Sequence, residues 1–141
     1  MNNPLRILYI DDSALDRALV RNALVIDNPG RYLLTEAASR REFETRLAQG
    51  KYDLVLSYFN IFGFEGLQVL ELVKQVDAAL PVIIVTGTGS EEVAVEVMKR
   101  GASDYVIKTP SHIQRLPQTI QAVLEKRSLE YERRQAVEDL R

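Results

Sequence analysis

The feature of this chain that most constrains its fold is a regular alternation of short apolar runs with longer stretches of helical pattern. The runs are Leu5–Ile10, Tyr32–Thr35, Asp53–Leu56, Pro81–Thr86 and Asp104–Ile107. Each run is mostly apolar instead of alternating with polar residues, which is typical of strands covered on both faces of their sheet. The pattern predicts an α/β domain with a doubly wound, five-stranded parallel sheet between two layers of helices.

The segments between these runs carry the start and stop signals of helices. Ser13, Ser39 and Ser90 stand at N-cap positions, and Gly50 and Gly101 stand where a helix is expected to end. One face of the first predicted helix is formed by Leu15, Leu19, Asn22 and Ile26. These signals support helices in the connections between the strands.

Composition bounds the function classes that the chain can serve. It has 141 residues, 46% of them hydrophobic and 27% charged, which favours one folded, soluble domain with a single core. The formal net charge of -2 lacks the basic excess of a typical nucleic-acid binder. There is no cysteine and the only histidine is His112, which excludes disulfides, thiolate zinc sites and any mechanism that needs two histidines. No membrane-spanning run and no signal-peptide pattern is found, so we expect a cytoplasmic protein.

The end of the chain differs from the rest. We expect the α/β domain to occupy residues 1–125, and residues 126–141 to form a charged extension of the last helix. This extension could be a solvated helix end, a linker to a further domain or a pairing helix. Leu124 and Tyr131 are one heptad apart, but Val137 and Leu140 fall outside that register, so the linker is favoured over pairing. The oligomeric state stays open.

Polar residues at the strand ends mark one edge of the predicted sheet. In such domains the functional crevice lies at the carboxyl ends of the strands. The residues at these ends are Asp11, Asp12, Tyr58, Thr86 and Lys108. Adjacent acids repel each other unless a cation is near, although the dipole of the following helix also favours an acid there. The pair therefore indicates a cation site.

The segments around these positions resemble the receiver domain of bacterial two-component response regulators. The matching stretches are ILYIDDS at 7–13, YDLVLSY at 52–58, PVIIVTG at 81–87 and GASDYVIK at 101–108. The resemblance covers roughly residues 5–125, in the order and with the spacing of the family, and four matching motifs make it specific. It implies the flavodoxin-like fold of receivers, in which helices cover both faces of the sheet.

The resemblance also implies a role for each matched position. In that family the acid pair, here Asp11 and Asp12, binds Mg²⁺, and a backbone carbonyl at the position of Asn60 joins the metal shell. The lysine, here Lys108, holds the phosphoryl group. After phosphorylation a hydroxyl moves inward and an aromatic ring becomes buried, and these are the positions of Thr86 and Tyr105.

One position departs from the family pattern, and it is the phosphoacceptor. The aspartate that receives the phosphoryl group falls at Tyr58, and a proline that is common in the following loop is replaced by Phe62. A phenol with a pKa of about 10 is protonated at neutral pH and cannot form an acyl phosphate. Asp53 lies at the start of the strand and Glu65 begins the next helix, so neither can take its place, and Ser57 faces the other side of the strand. An engineered Tyr58 is less favoured, because Asn, Ala or Glu would be the usual replacement.

These departures define the expected function. We expect a receiver-like signalling module that is not an enzyme and needs no phosphorylation. It would bind Mg²⁺ weakly at most. Lys108 would pair with Asp11, with Asp12 or with the Tyr58 hydroxyl. It would contact a histidine kinase or a downstream signalling domain through the fourth helix, the fifth strand and the last helix, around Tyr105. The alternative is a domain that responds to a nucleotide or another small ligand in the same crevice.

Overall fold

Five parallel strands form one sheet with helices on both faces. The computed structural model describes residues 3–61, 63–87 and 91–140, so Phe62 and the expected cap Ser90 lie outside the described residues. The strands are β1 (Leu5–Ile10), β2 (Tyr32–Ala37), β3 (Leu54–Tyr58), β4 (Val82–Thr86) and β5 (Asp104–Ile107). The helices are α1 (Ala14–Asp27), α2 (Arg40–Gln49), α3 (Gly66–Val76), α4 (Glu91–Lys99), α5 (Pro110–Ile113) and α6 (Leu116–Asp139).

The strand order is β2-β1-β3-β4-β5, which confirms the predicted doubly wound sheet. The register pairs Ile10 with Ser57 and Thr86 with Ile107. It also pairs Tyr58 with Val85, because β3 continues two residues beyond the predicted run. The carboxyl ends of four strands therefore align, and the residues that end or follow them meet at one edge of the sheet.

Local signals account for several helix boundaries. The side chains of Ser13 and Ser39 each accept a hydrogen bond from the backbone N–H of the third residue of the following helix, as expected for N-caps. After α4, Gly101 has φ +103°, a conformation that suits glycine. A Cβ at Gly101 would also collide with the Lys74 side chain, whose ammonium group donates a hydrogen bond to the carbonyl of Arg100.

Two hydrophobic cores lie on opposite faces of the sheet. Helices α2, α3 and α4 cover one face, whereas α1, α5 and α6 cover the other. α1 packs on its core through Val20 and Leu24. The face that carries Leu15, Leu19 and Ile26 therefore points away from the sheet, into solvent.

The last part of the chain is helical, as predicted, but it forms two helices. α5 is a single turn, and α6 begins at Leu116 with Pro117 in its first turn, where a residue without an N–H is tolerated. α6 then passes residue 125 without interruption, while a division of the chain at that residue stays a prediction. Among the described residues, no helix is long and apolar enough to cross a membrane.

Candidate functional site

Lys108 lies at the centre of the crevice at the carboxyl edge of the sheet. Its backbone N–H donates to the carbonyl of Thr86, at 2.7 Å, which fixes the start of the loop after β5. Its ammonium nitrogen lies 2.8 Å from Asp11 Oδ2 and 2.7 Å from Asp16 Oδ2. The same nitrogen lies 3.3 Å from the centroid of the Tyr58 ring, within the range of a cation–π contact. Only 10% of the Lys108 side chain is exposed, so two carboxylates and an aromatic face enclose the charge.

This environment keeps the ion pair charged. Burial alone would lower the pKa of Lys108, but its hydrogen bonds and charge attraction to Asp11 and Asp16 outweigh burial and raise that pKa above its ordinary value of 10.5. The hydrogen bond from Lys108 likewise holds the pKa of Asp16 below its ordinary value of 3.8. Lys108 and Asp16 therefore carry opposite charges at neutral pH.

Asp11 has hydrogen-bond donors on both of its carboxylate oxygens. Its Oδ1 accepts from the backbone N–H of Ser13 and its Oδ2 accepts from the Tyr9 hydroxyl, each at 2.9 Å. The Oδ2 atom also contacts the Lys108 ammonium. Burial raises the pKa of Tyr9 well above its ordinary value, and the nearby Asp11 carboxylate raises it further, so the phenol stays protonated and donates. A fully buried carboxylate is stabilised by donors of this kind.

The donor set does not fit the Mg²⁺ site that the resemblance implies. A cation bound to Asp11 would have to displace Lys108 and compete with the Tyr9 hydroxyl, and Tyr58 supplies no third carboxylate. Asp12 is exposed and lines an open groove together with Asn60. Within the described ranges, no group of three His, Cys, Asp or Glu side chains is placed to hold a metal ion.

Tyr58 closes the crevice from the side of β3. Its half-buried ring packs against both hydrophobic cores. A Cβ built on Gly87 would lie 4.0 Å from the Tyr58 hydroxyl oxygen, so this hydroxyl lies near the residue that follows β4. Lys108 meets the face of the ring. Of the partners expected for Lys108, the structure shows Asp11, whereas the contact with Tyr58 is made with the face of its ring and not with the expected hydroxyl.

Thr86 and Tyr105 lie in different environments. Thr86 ends β4 and is buried, whereas the Tyr105 side chain on β5 is 40% exposed. Tyr105 borders a shallow apolar depression between β5 and α4, which we call the α4–β5 surface. It is lined by Glu91, Ala94, Val95, Met98, Lys99 and Tyr105. The structure thus gathers Asp11, Tyr58 and Lys108 in the crevice and places Tyr105 on an outer surface.

Sequence reasoning missed two residues of the crevice, Tyr9 and Asp16. Tyr9 lies within the first predicted strand, two residues before Asp11, and so shares the face of the strand on which Asp11 lies. Asp16 lies in the first turn of α1, the helix that begins at the crevice. Both positions could have been found by asking which polar groups a strand period of two and the first helical turn bring to the acid pair.

Comparison with known proteins supports the same fold and family. The family model described as "Response regulator receiver domain" matches residues 7–121. The chain is similar to the transcriptional regulatory protein ResD of Bacillus subtilis, with 31% identity over 106 residues, which are 75% of this chain and 42% of ResD. It is also similar to the transcriptional regulatory protein ZraR of Escherichia coli, with 32% identity over 118 residues, covering 84% of this chain and 26% of ZraR. The chain therefore spans less than half the length of these two regulators.

Smaller relatives and solved structures agree with this finding. The chemotaxis protein CheY of Bacillus subtilis is 26% identical over 103 residues, which cover 73% of this chain and 84% of that protein. The crystal structure of a receiver domain protein from Clostridium thermocellum has a TM-score of 0.78 at 26% identity and covers 89% of this chain and 98% of that chain. NtrX from Brucella abortus has a TM-score of 0.82 at 28% identity, over 98% of this chain and 30% of NtrX. The predicted flavodoxin-like fold is confirmed.

Proposed function

This chain belongs to the response regulator receiver family, and from that premise we propose that it is a receiver that signals without being phosphorylated, through contacts with other proteins. One observation carries the proposal. The Lys108 ammonium, which the family uses to hold a phosphoryl group, is bound by Asp11 and Asp16 and covered by the ring of Tyr58. Side chains of the domain itself therefore bind the ammonium group to which a phosphoryl group would otherwise bind.

The chemistry of Tyr58 supports the same proposal. Phosphotransfer to a receiver makes an acyl phosphate, which requires a carboxylate nucleophile at the end of β3. Tyr58 ends β3 and offers a phenol, whose ring packs between the two cores. We infer that the domain has no catalytic role, since the described residues of the crevice include neither the carboxylate nucleophile nor a metal site for this reaction.

The positions that switch in the family are also consistent with a fixed conformation. Tyr105 lies outward, 40% exposed, in the arrangement that the family shows before phosphorylation. A two-state element changes its populations only when a ligand binds the two states unequally. Since no phosphoryl group reaches Lys108, we expect Thr86 and Tyr105 to keep this arrangement.

The α4–β5 surface is the proposed contact surface for a partner. Val95, Met98 and Tyr105 expose apolar area there, with Glu91 and Lys99 at its rim. An apolar centre with a polar rim is the usual build of a protein interface. ResD and ZraR are named as transcriptional regulators, which favours a downstream effector domain as the partner, and a histidine kinase is the other candidate.

Phosphorylation of the purified chain tests the proposal directly. The chain is incubated with Mg²⁺ and acetyl phosphate and analysed by intact mass spectrometry, and we expect no phosphoryl adduct. The matched variant Tyr58→Asp restores a third carboxylate beside Asp11 and Asp12, so its Mg²⁺ affinity in titration calorimetry should rise by at least about tenfold. A phosphoryl group mapped to the crevice of the unmodified chain would contradict the proposal.

Two further measurements separate the alternatives. Chemical shifts of residues around Thr86 and Tyr105 should not change when Mg²⁺ and beryllofluoride are added, because nothing in the crevice binds this phosphoryl mimic. A panel of nucleotides should leave the melting temperature unchanged. Stabilisation by a nucleotide alone would instead favour the ligand-responsive alternative.

A further inference from the structure

An open cavity lies at the amino edge of the sheet, opposite the crevice, and we call it the amino-edge groove. Its volume is about 520 Å³, within the range of clefts that hold ligands. Its walls are the end of α3, the loops that lead into β4 and β5, and the middle of α6. Its floor is apolar and buried, and it consists of Leu70, Leu80, Val82, Ala102 and Val123.

Three cationic side chains line this groove, and all of them are exposed: Lys74, Lys126 and Arg127. The Lys74 ammonium group donates a hydrogen bond to the carbonyl of Arg100. Arg127 Nη1 donates to the carbonyl oxygen of Asp53, at 3.5 Å. A carbonyl carries no net charge, and no ion pair among the residues that the structure describes includes any of the three cations. Their charges are therefore not neutralised by a paired carboxylate.

Two acids line the same groove. The Asp104 carboxylate accepts a hydrogen bond from the backbone N–H of Tyr105, at 2.8 Å, and so is bound to its own strand. Glu130 lies about one helical turn beyond Lys126 on α6. With three cations and two acids the lining carries a positive charge, although the formal net charge of the whole chain is -2. The groove therefore favours an anionic occupant.

The cations stand at the two ends of the apolar floor. α3, which carries Lys74, covers one face of the sheet, whereas α6, which carries Lys126 and Arg127, covers the other face. The groove between them passes the start of β4, at Val82. A single contact between exposed charges contributes little to binding in water. An occupant therefore needs anionic groups at both ends and an apolar group between them.

We propose that the amino-edge groove binds an extended, acidic segment of a partner protein. In an extended segment every second side chain points to the same side, at a rise of about 3.3 Å per residue. Five residues with acids at the first and last positions and an apolar residue at the third thus place three side chains in the groove, over about 13 Å. The acids contact Lys74 at one end and Lys126 and Arg127 at the other, and the apolar side chain covers the floor.

The amino-edge groove is separate from the regions that carry the proposed function. It lies at the edge of the sheet opposite Lys108, and among the described residues that line it, Met98 alone also lines the α4–β5 surface. The inference therefore does not depend on the proposed function, and its failure would leave that function untouched.

Titration with a synthetic peptide tests the proposal. The probe is acetyl-Glu-Ala-Leu-Ala-Glu-amide, added to the isotope-labelled chain and followed by the chemical shifts of the backbone amides. We expect saturable shifts confined to the residues around the groove, with a dissociation constant below about 1 mM. The same peptide with lysine in place of both glutamates should cause no saturable shift. No binding of the acidic peptide, or shifts centred on another surface, would overturn the proposal.

Charge-reversal variants locate the contact. Lys74→Glu and Lys126→Glu change exposed side chains at the two ends of the groove, and each should raise the dissociation constant of the acidic peptide by at least about fivefold. The matched control is Lys51→Glu, which changes the net charge equally at an exposed residue outside the groove. It should change the dissociation constant by less than about twofold. Equal weakening by all three variants would show a nonspecific attraction and contradict the proposal.

Two further probes decide the class of occupant. The peptide acetyl-Glu-Ala-Gln-Ala-Glu-amide lacks the apolar side chain and should bind at least about fivefold more weakly. Glutarate, a small dicarboxylate, covers less of the floor and should bind at least about tenfold more weakly than the first peptide. Glutarate that binds as tightly as the peptide would show a site for small organic anions, and equal affinities of the two acidic peptides would show that the floor is not contacted. Either result would refute the proposed segment.

Discussion

The crevice at the carboxyl edge and the α4–β5 surface both depend on β5, yet they are built in opposite ways. In the crevice, Lys108 is almost buried and is bound by Asp11 and Asp16 of the same domain. On the α4–β5 surface, Tyr105 and Val95 leave much of their apolar area in contact with solvent. The charged groups of the crevice are paired with each other, whereas the apolar side chains of the α4–β5 surface are exposed and available to a partner. Because the two regions share no residue, we expect that a loss of phosphotransfer in the crevice would leave partner contact on the α4–β5 surface intact.

The largest effect is expected from removing the buried carboxylate of the crevice. Asp11→Ala takes one of two carboxylates from Lys108 and leaves the buried Tyr9 hydroxyl without its acceptor. Breaking a buried, hydrogen-bonded ion pair costs about 3 kcal/mol, and we expect a loss of that size in the free energy of unfolding, measured with urea. Glu44→Ala is the matched control, because it breaks an exposed pair with Arg40 and should cost less than ~0.5 kcal/mol. Similar losses in the two variants would mean that the buried ion pair of the crevice stabilises the fold no more than an exposed ion pair does.

A smaller effect is expected from Asp16, and it depends on pH. Because the pKa of Asp16 is lower in the folded chain than its ordinary value of 3.8, its contribution to stability is complete above pH 3.8 and is lost as the pH falls through the lowered value. Asp16→Asn should therefore cost about 1 kcal/mol at neutral pH, and its stability should depend less on pH below about 4.

The same variant can be followed at alkaline pH. The pKa of Lys108 is raised above 10.5 in the folded chain, so its contribution is present below pH 10.5 and is lost as the pH rises through the raised value. In Asp16→Asn this alkaline loss should be smaller and should be complete at a lower pH, because one of the two groups that raise the pKa of Lys108 is gone. Urea denaturation in a series of buffers measures both arms, and identical profiles for the variant and the unmodified chain would show that Asp16 is not coupled to Lys108.

The smallest effect is expected on the α4–β5 surface. Val95→Ser exchanges an exposed side chain for a polar one of similar helix propensity, so the free energy of unfolding should change by less than ~0.5 kcal/mol. Thermal and urea unfolding measure this change. A loss above ~2 kcal/mol would show that Val95 belongs to the core, and the contrast between the two regions would fail.

The fold could largely be predicted from the sequence because each strand contains a short, mostly apolar run that is followed by a clear helix signal. Ser13 and Ser39 were recognised as caps because an N-cap needs only its own side chain and the next turn. Which face of α1 packs against the sheet could not be predicted from the sequence. The spacing of Leu15, Leu19 and Ile26 identifies one apolar face of the helix. Val20 and Leu24 form a second apolar face, and the spacing alone does not show that this second face packs against the core.

The crevice was only partly readable. Asp11 and Lys108 were found because strand ends bring them to one edge of the sheet. The contact with Asp16 depends on how α1 leaves the crevice, and the contact of Lys108 with the face of the Tyr58 ring depends on side-chain packing. Neither is specified by residue spacing. Motif matching identifies the place of a site, whereas the partners of each charge follow from three-dimensional packing.

The uninterrupted course of α6 has a mechanical consequence. The helix has 24 residues, so it is a rod of about 36 Å, and its contacts with the hydrophobic core end at Leu124. The 15 residues that follow, up to Asp139, extend for about 22 Å. Because of this length, a tilt of about 10° where the helix leaves the core moves its far end by about 4 Å. A slight change in packing, such as the docking of a partner beside α6, can thus produce a displacement of about 4 Å at the far end of the helix.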